Sequence, residues 1–133
     1  MKTLLVLAGI GQLALALASL AIPRVLRWRE ETAKLRPLTR QVFWTYAAYI
    51  FSFHVAFGLL SALAPDRLLD RTPLARMVAG FIALYWGVRL ALQLFCFDRS
   101  ERPPGPLGVL AEAALTALFV GLTIVYALVA FAR

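Results

Sequence analysis

The stretch Gln41–Pro65, QVFWTYAAYIFSFHVAFGLLSALAP, contains no Asp, Glu, Lys or Arg. A surface helix of a soluble protein carries a polar face opposite its apolar stripe, and this segment has none. It is also longer than the roughly 20 apolar residues that a helix needs to cross a bilayer. Working outward, Thr3–Pro23 is likewise free of charge. Leu74–Phe97 is broken only by Arg76 at its edge and Arg89 inside, and Leu107–Ala132 only by Glu112. The pattern predicts four transmembrane helices, at about 3–22, 41–64, 75–97 and 107–131. The expected fold is an all-α, integral membrane, four-transmembrane-helix up-down bundle, with residues 1–133 as a single membrane domain.

Composition agrees. Of 133 residues, 62% are hydrophobic and 16% charged, and the mean hydropathy is +0.78. Soluble chains run at about 45–50% apolar and about 25% charged. The segments outside the spans are too short for an independent domain of about 50 residues, which excludes an appended soluble catalytic domain. The net charge of +7 does not indicate nucleic acid, because the basic residues flank apolar spans. The first span resembles an export signal, with Lys2 before it and the small-x-small run Ala16-Leu17-Ala18 inside it. Its apolar character continues through Ile22, which favours a retained helix.

Loop charge sets the expected orientation. Arg24, Arg27, Arg29, Lys34, Arg36 and Arg40 lie in loop 23–40, and Arg99 and Arg102 in loop 98–106. Lys2, Arg67, Arg71, Arg76 and Arg133 fall on the other side. The positive-inside rule then places both loops in the cytoplasm and both termini outside, in the plasma (inner) membrane. The segment RVLRWREETAKLR can form a basic amphipathic helix up to Pro37, making Arg24–Arg40 a candidate contact for anionic lipid, but a solvated loop that only sets topology is the favoured reading, since Arg-rich cytoplasmic loops are the norm. Thr72 suits an N-cap with Pro73 at the first helical position. Gly80, Ala83, Gly87 and Ala91 recur at helical spacing as a small-residue packing seam.

Ionisable and amide groups inside spans are costly and informative. Arg89 shares a helix face with Tyr85, Trp86, Gln93 and Cys96. It lies about 12 Å from the cytoplasmic end of its helix, and Glu112 about 8 Å into the next, so an Arg89–Glu112 ion pair is within reach. Arg89, Glu112, Gln93, Tyr85 and Trp86 are therefore the candidates for an ion pair or an anionic-ligand or proton site. Thr116, Phe119 and Thr123 continue the Glu112 stripe, with Tyr126 nearby. His54 is a candidate ligand for haem or a chlorophyll-type pigment. With no second histidine in the chain, a bis-histidine haem would need a dimer, and a hydrogen-bonded core histidine is the simpler reading. The single Cys96 removes any CxxC pair or intrachain disulfide. No HExxH, GxSxG or paired-carboxylate motif occurs, so no catalytic residue and no metal site is expected.

The function these features favour is that of a non-enzymatic accessory or scaffold subunit, or a lipid-binding module, of a larger membrane assembly. Its partners would be the bilayer and other membrane proteins or further copies of the chain. The alternatives are a small oligomeric proton-coupled or anion transporter using Arg89 and Glu112, and haem or pigment binding through His54.

Overall fold

The structure is a computed structural model and describes residues 1–96 and 105–131. It is all-helical, with no strand among the described residues. The helices are α1 (Lys2–Ser19), α2 (Ile22–Val25), α3 (Trp28–Thr32), α4 (Pro37–Leu63), α5 (Pro65–Leu68), α6 (Pro73–Phe95) and α7 (Pro106–Phe131). Four stretches are long and apolar enough to cross a membrane: Lys2–Val25, Pro37–Leu63, Pro73–Phe95 and Pro106–Phe131.

Proline marks most of the starts. Pro37, Pro65, Pro73 and Pro106 each occupy the first position of a helix. There the missing N–H has no intrahelical partner to lose, and φ is already helical. The expected cap at Thr72 forms: its Oγ1 accepts from the Ala75 N–H at 3.1 Å. Asp70 Oδ1 in turn accepts from the Thr72 N–H at 3.1 Å and its hydroxyl at 2.9 Å, so a side-chain turn feeds directly into α6.

The boundaries lie within a turn of expectation, and two differences have a clear cause. The second span begins at Pro37, one turn before Gln41, because Arg40 and Gln41 continue the helix that Pro37 starts. The segment after Pro23 is not one amphipathic helix. Arg27 adopts a left-handed conformation, with φ +54° and ψ +48°, and this breaks it into α2 and α3. Most of the loop expected at 98–106 lies outside the described residues, as does the last residue of the third span, Phe97.

Two helix pairs form the backbone of the packing, α1 with α4 and α6 with α7, and α1 also touches α7. The α1–α4 contact is made by glycine. A Cβ placed on Gly9 would stand 2.6 Å from the Ala62 nitrogen and 2.7 Å from the Gly58 oxygen. One on Gly58 would meet the Leu13 side chain at 2.7 Å. The two backbones approach closely only because neither residue has a side chain. The proposed α6 seam makes ordinary contact instead. Gly80 faces Ala130 at 3.8 Å and Gly87 faces Thr123 at 3.6 Å, Ala83 is half-buried and Ala91 is exposed.

The core consists of Leu5, Phe57, Ile82, Trp86, Phe119, Leu122 and Tyr126 with smaller neighbours. Outside it, Leu7, Leu17, Leu63, Leu84, Leu110 and Ile124 are each more than half exposed. Apolar side chains on the outer faces of all four long helices are what a lipid-facing surface requires.

Gly9→Ala is expected to cost about 1–3 kcal/mol, since the added methyl meets backbone atoms that cannot yield. Gly121, with nothing within 4 Å of its added Cβ, serves as the control, and Gly121→Ala should leave stability unchanged or slightly raised. Thermal unfolding of the two variants in detergent checks this, and equal midpoints would refute the glycine contact.

Candidate functional site

All four long helices meet at one buried polar cluster. Gln12 on α1, Ser61 on α4, Trp86 on α6 and Tyr126 on α7 are each fully buried, at 0% exposure. The Trp86 Nε1–H donates to Gln12 Oε1 at 3.0 Å. An indole nitrogen can only donate, so this bond fixes which end of the Gln12 amide is the carbonyl. Gln12 Nε2 then donates to the Tyr126 hydroxyl at 2.6 Å and to the Ala8 carbonyl at 3.3 Å. Having accepted from Gln12, the Tyr126 hydroxyl still has a proton to give, and Ser61 Oγ is its neighbour.

In the sequence Gln12 is an isolated amide in an apolar run, and nothing marks Ser61. Tyr126 was visible only as a neighbour of the Glu112 stripe. Each span carries one such polar group on its inward face, and matching these by depth across helices would have been the usable signal.

A second set lies beside the first. His54 Nε2 and the Tyr85 hydroxyl are 2.7 Å apart, joining α4 to α6. The imidazole stacks on Trp86, with centroids 4.9 Å apart, and meets the Tyr85 ring edge-on at 5.6 Å. Its buried Nδ1 has no hydrogen-bond partner among the described residues. Trp86 also stacks with Phe119 at 5.3 Å, and the Arg89 guanidinium sits 4.9 Å over the Phe119 ring. His54, Trp86, Phe119 and Arg89 thus follow one another in a line, held by ring and cation–π contacts.

No family model, curated protein or solved structure matches the chain.

Of the sequence candidates, Tyr85, Trp86, Arg89 and Gln93 are brought into one region, with His54 added from α4. The expected Arg89–Glu112 ion pair is not among the ion pairs of the described residues, which are Lys2–Asp66, Arg27–Glu30 and Lys34–Glu31. A line of hydrogen bonds runs from Arg89 to the Glu112 backbone. Arg89 Nη1 donates to Gln93 Oε1 at 3.5 Å, Gln93 Nε2 to Thr116 Oγ1 at 2.8 Å, and Thr116 Oγ1 to the Glu112 backbone carbonyl at 2.9 Å. Helical side chains lean toward their own N-terminus, which draws Arg89 toward Phe119 and away from the first turn of α7.

No group of three or more His, Cys, Asp or Glu side chains that could hold a metal ion occurs among the described residues. The Nε2 of His54 is engaged by Tyr85, so a haem or pigment at that nitrogen would have to displace the hydroxyl.

Gln12→Leu is expected to be the most damaging of the polar changes, because it leaves the Trp86 N–H unpaired and takes one partner from Tyr126. A loss of about 1–3 kcal/mol follows from stranding a buried donor. Tyr126→Phe should cost less, at most about 1.7 kcal/mol, in line with hydrogen bonds between membrane helices. His54→Phe keeps the stack on Trp86 and should cost less still. Denaturant titrations in mixed micelles give the order, and a neutral Gln12→Leu would show the cluster to be incidental.

Proposed function

We propose that the chain is an integral membrane protein, an up-down bundle of four transmembrane helices, acting as a non-catalytic accessory or scaffold subunit of a larger membrane assembly. The bundle has both termini outside and loops 23–40 and 98–106 in the cytoplasm, in the plasma (inner) membrane, following the loop charges. The observation that carries the reading is the division of groups: the interior amide, indole and hydroxyl groups are taken up by one another, while the outer helix faces are apolar. An interior arranged in this way holds four helices in one register, and apolar outer faces suit lipid and the helices of other membrane proteins.

A second reading, transport of a proton or anionic solute by an oligomer, draws on the line of Arg89, Gln93, Thr116 and Glu112 between α6 and α7. Uptake by reconstituted vesicles that falls in Arg89→Ala and Glu112→Gln would favour it over the scaffold. Ligation through His54 would give the purified protein a visible absorption band.

Three outcomes test the first reading. The protein should stay in the membrane fraction after carbonate extraction. In a Cys96→Ser background, Asp66→Cys should react with an impermeant maleimide on intact cells while Lys34→Cys is protected. The opposite labelling would invert the topology. The scaffold role predicts that mild-detergent extraction recovers the chain with other membrane proteins, and a lipid-poor monomer without any partner would overturn it.

A further inference from the structure

The basic residues between α1 and α4 form a built surface. The apolar stretch that starts at Lys2 ends at Val25, and α3 follows after the left-handed turn at Arg27. The α3 segment is pinned back against the start of α4 by rings. Trp28 meets Phe43 edge-on at 4.9 Å and Trp44 at 5.9 Å. Thr32, buried at 4% exposure, closes the turn by donating its hydroxyl to the Trp28 carbonyl at 2.5 Å. The segment from Arg24 to Arg40 is thereby held at one end of the molecule, where the first apolar helix stops and the second begins.

Its charge is lopsided. Glu30 lies 3.9 Å from Arg27, and Glu31 lies 3.5 Å from Lys34, so both acids of the segment have cations beside them. Arg24, Arg29, Arg36 and Arg40 take part in none of the ion pairs among the described residues. Interleaved with them are exposed apolar side chains, Leu20, Val25, Leu26 and Leu38 among them. Cationic groups beside exposed leucines at the end of an apolar helix match the boundary between headgroups and acyl chains.

We propose that Arg24, Arg29, Arg36 and Arg40, positioned by the Trp28–Phe43–Trp44 ring cluster, bind the phosphate headgroups of anionic phospholipids. The inference rests on the membrane reading above and names the lipid class that one end of the bundle selects. The arginine forks donate to phosphate oxygens, the leucines enter the acyl layer, and the rings keep the strip in the headgroup plane. Diffuse attraction of a flexible basic loop would need neither the left-handed turn nor the packed tryptophans.

The test uses the full chain reconstituted into phosphatidylcholine vesicles with a minor fraction of phosphatidylglycerol. The protein is re-extracted in mild detergent, and the retained lipid is counted by mass spectrometry. Flotation with pure phosphatidylcholine vesicles is measured in parallel, so a failure to insert, which would defeat the membrane reading, is seen separately from a failure to select lipid. Each basic residue at an anionic surface is worth about fivefold in binding. The variant R24Q/R29Q/R36Q/R40Q should therefore lose at least about tenfold of the phosphatidylglycerol preference while still floating with neutral vesicles.

The variant R67Q/R71Q/R76Q, which removes charge from the opposite end, should keep the preference. Equal losses in the two variants, or no preference in the unaltered protein, would overturn the proposal. So would heparin retention by the protein in neutral micelles without any phosphatidylglycerol preference, which would assign the strip to a soluble polyanion.

Discussion

The Gln12 side chain is the constraint on which the bundle turns. A primary amide carries two donors and an acceptor with two lone pairs, and apolar surroundings on all sides leave these groups to be answered by other helices. The answer comes from α6 through the Trp86 N–H and from α7 through the Tyr126 hydroxyl. Ser61 of α4 joins through Tyr126. Hydrogen bonds between helices in such surroundings average about 0.6 kcal/mol, so their number does little for strength. Their directionality does more, because a rotation or axial slip of any one helix would strand a donor among apolar side chains. The cluster chooses the register, and dispersion contacts along the helices supply the rest.

Two opposite ways of spacing helices serve that cluster. Between α1 and α4, Gly9 and Gly58 remove side chains so that the backbones come together, which brings Ser61 to the level of Gln12. Between α4 and α6 the space is filled by rings: Phe57 meets Phe81 and Tyr85 edge-on, and His54 stacks on Trp86. Trp86 belongs to both regimes. Its nitrogen enters the polar cluster while its ring stacks with His54 and with Phe119. Phe119 in turn carries Arg89. A guanidinium among apolar side chains is costly, and a ring face with the Gln93 carbonyl offsets part of that cost while Arg89 remains between α6 and α7.

The features legible in the sequence are those decided by a residue's own neighbours along the chain. The absence of charge over Gln41–Pro65 marks a helix without reference to anything else, and Thr72-Pro73 marks a start because cap chemistry is local. Ser61 and Tyr126 were not legible as a pair. Hydroxyls in apolar helices commonly bond their own backbone, as Thr123 does to the Phe119 carbonyl, and only a facing helix distinguishes the two uses. Gly9 and Gly58 were hidden for a similar reason, since small residues are frequent in such helices and depth alone does not say which are pressed against a neighbour. Arg89 and Glu112 were matched by depth along their own helices, and the line of bonds through Gln93 and Thr116 that runs between them needed the facing helix to be seen.

The same hydrogen bonds set the terms on which the scaffold and transport readings differ. A solute that took the place of the Gln93 carbonyl at Arg89 would compete with a side chain that also holds Thr116 of α7. Entry would therefore loosen the α6–α7 contact at one end, while the cluster around Gln12 holds the same two helices farther along. Transport then demands a pivot at Trp86, with α6 swinging against α7 about the fixed Trp86–Gln12 and Gln12–Tyr126 bonds. A scaffold demands the reverse, with the Gln93–Thr116 bond kept closed so that the outer faces of α6 and α7 stay in one fixed relation for whatever packs against them. The short Gln93–Thr116 bond, two side chains long and spanning the hairpin, is the element whose strength separates a rigid bundle from a hinged one.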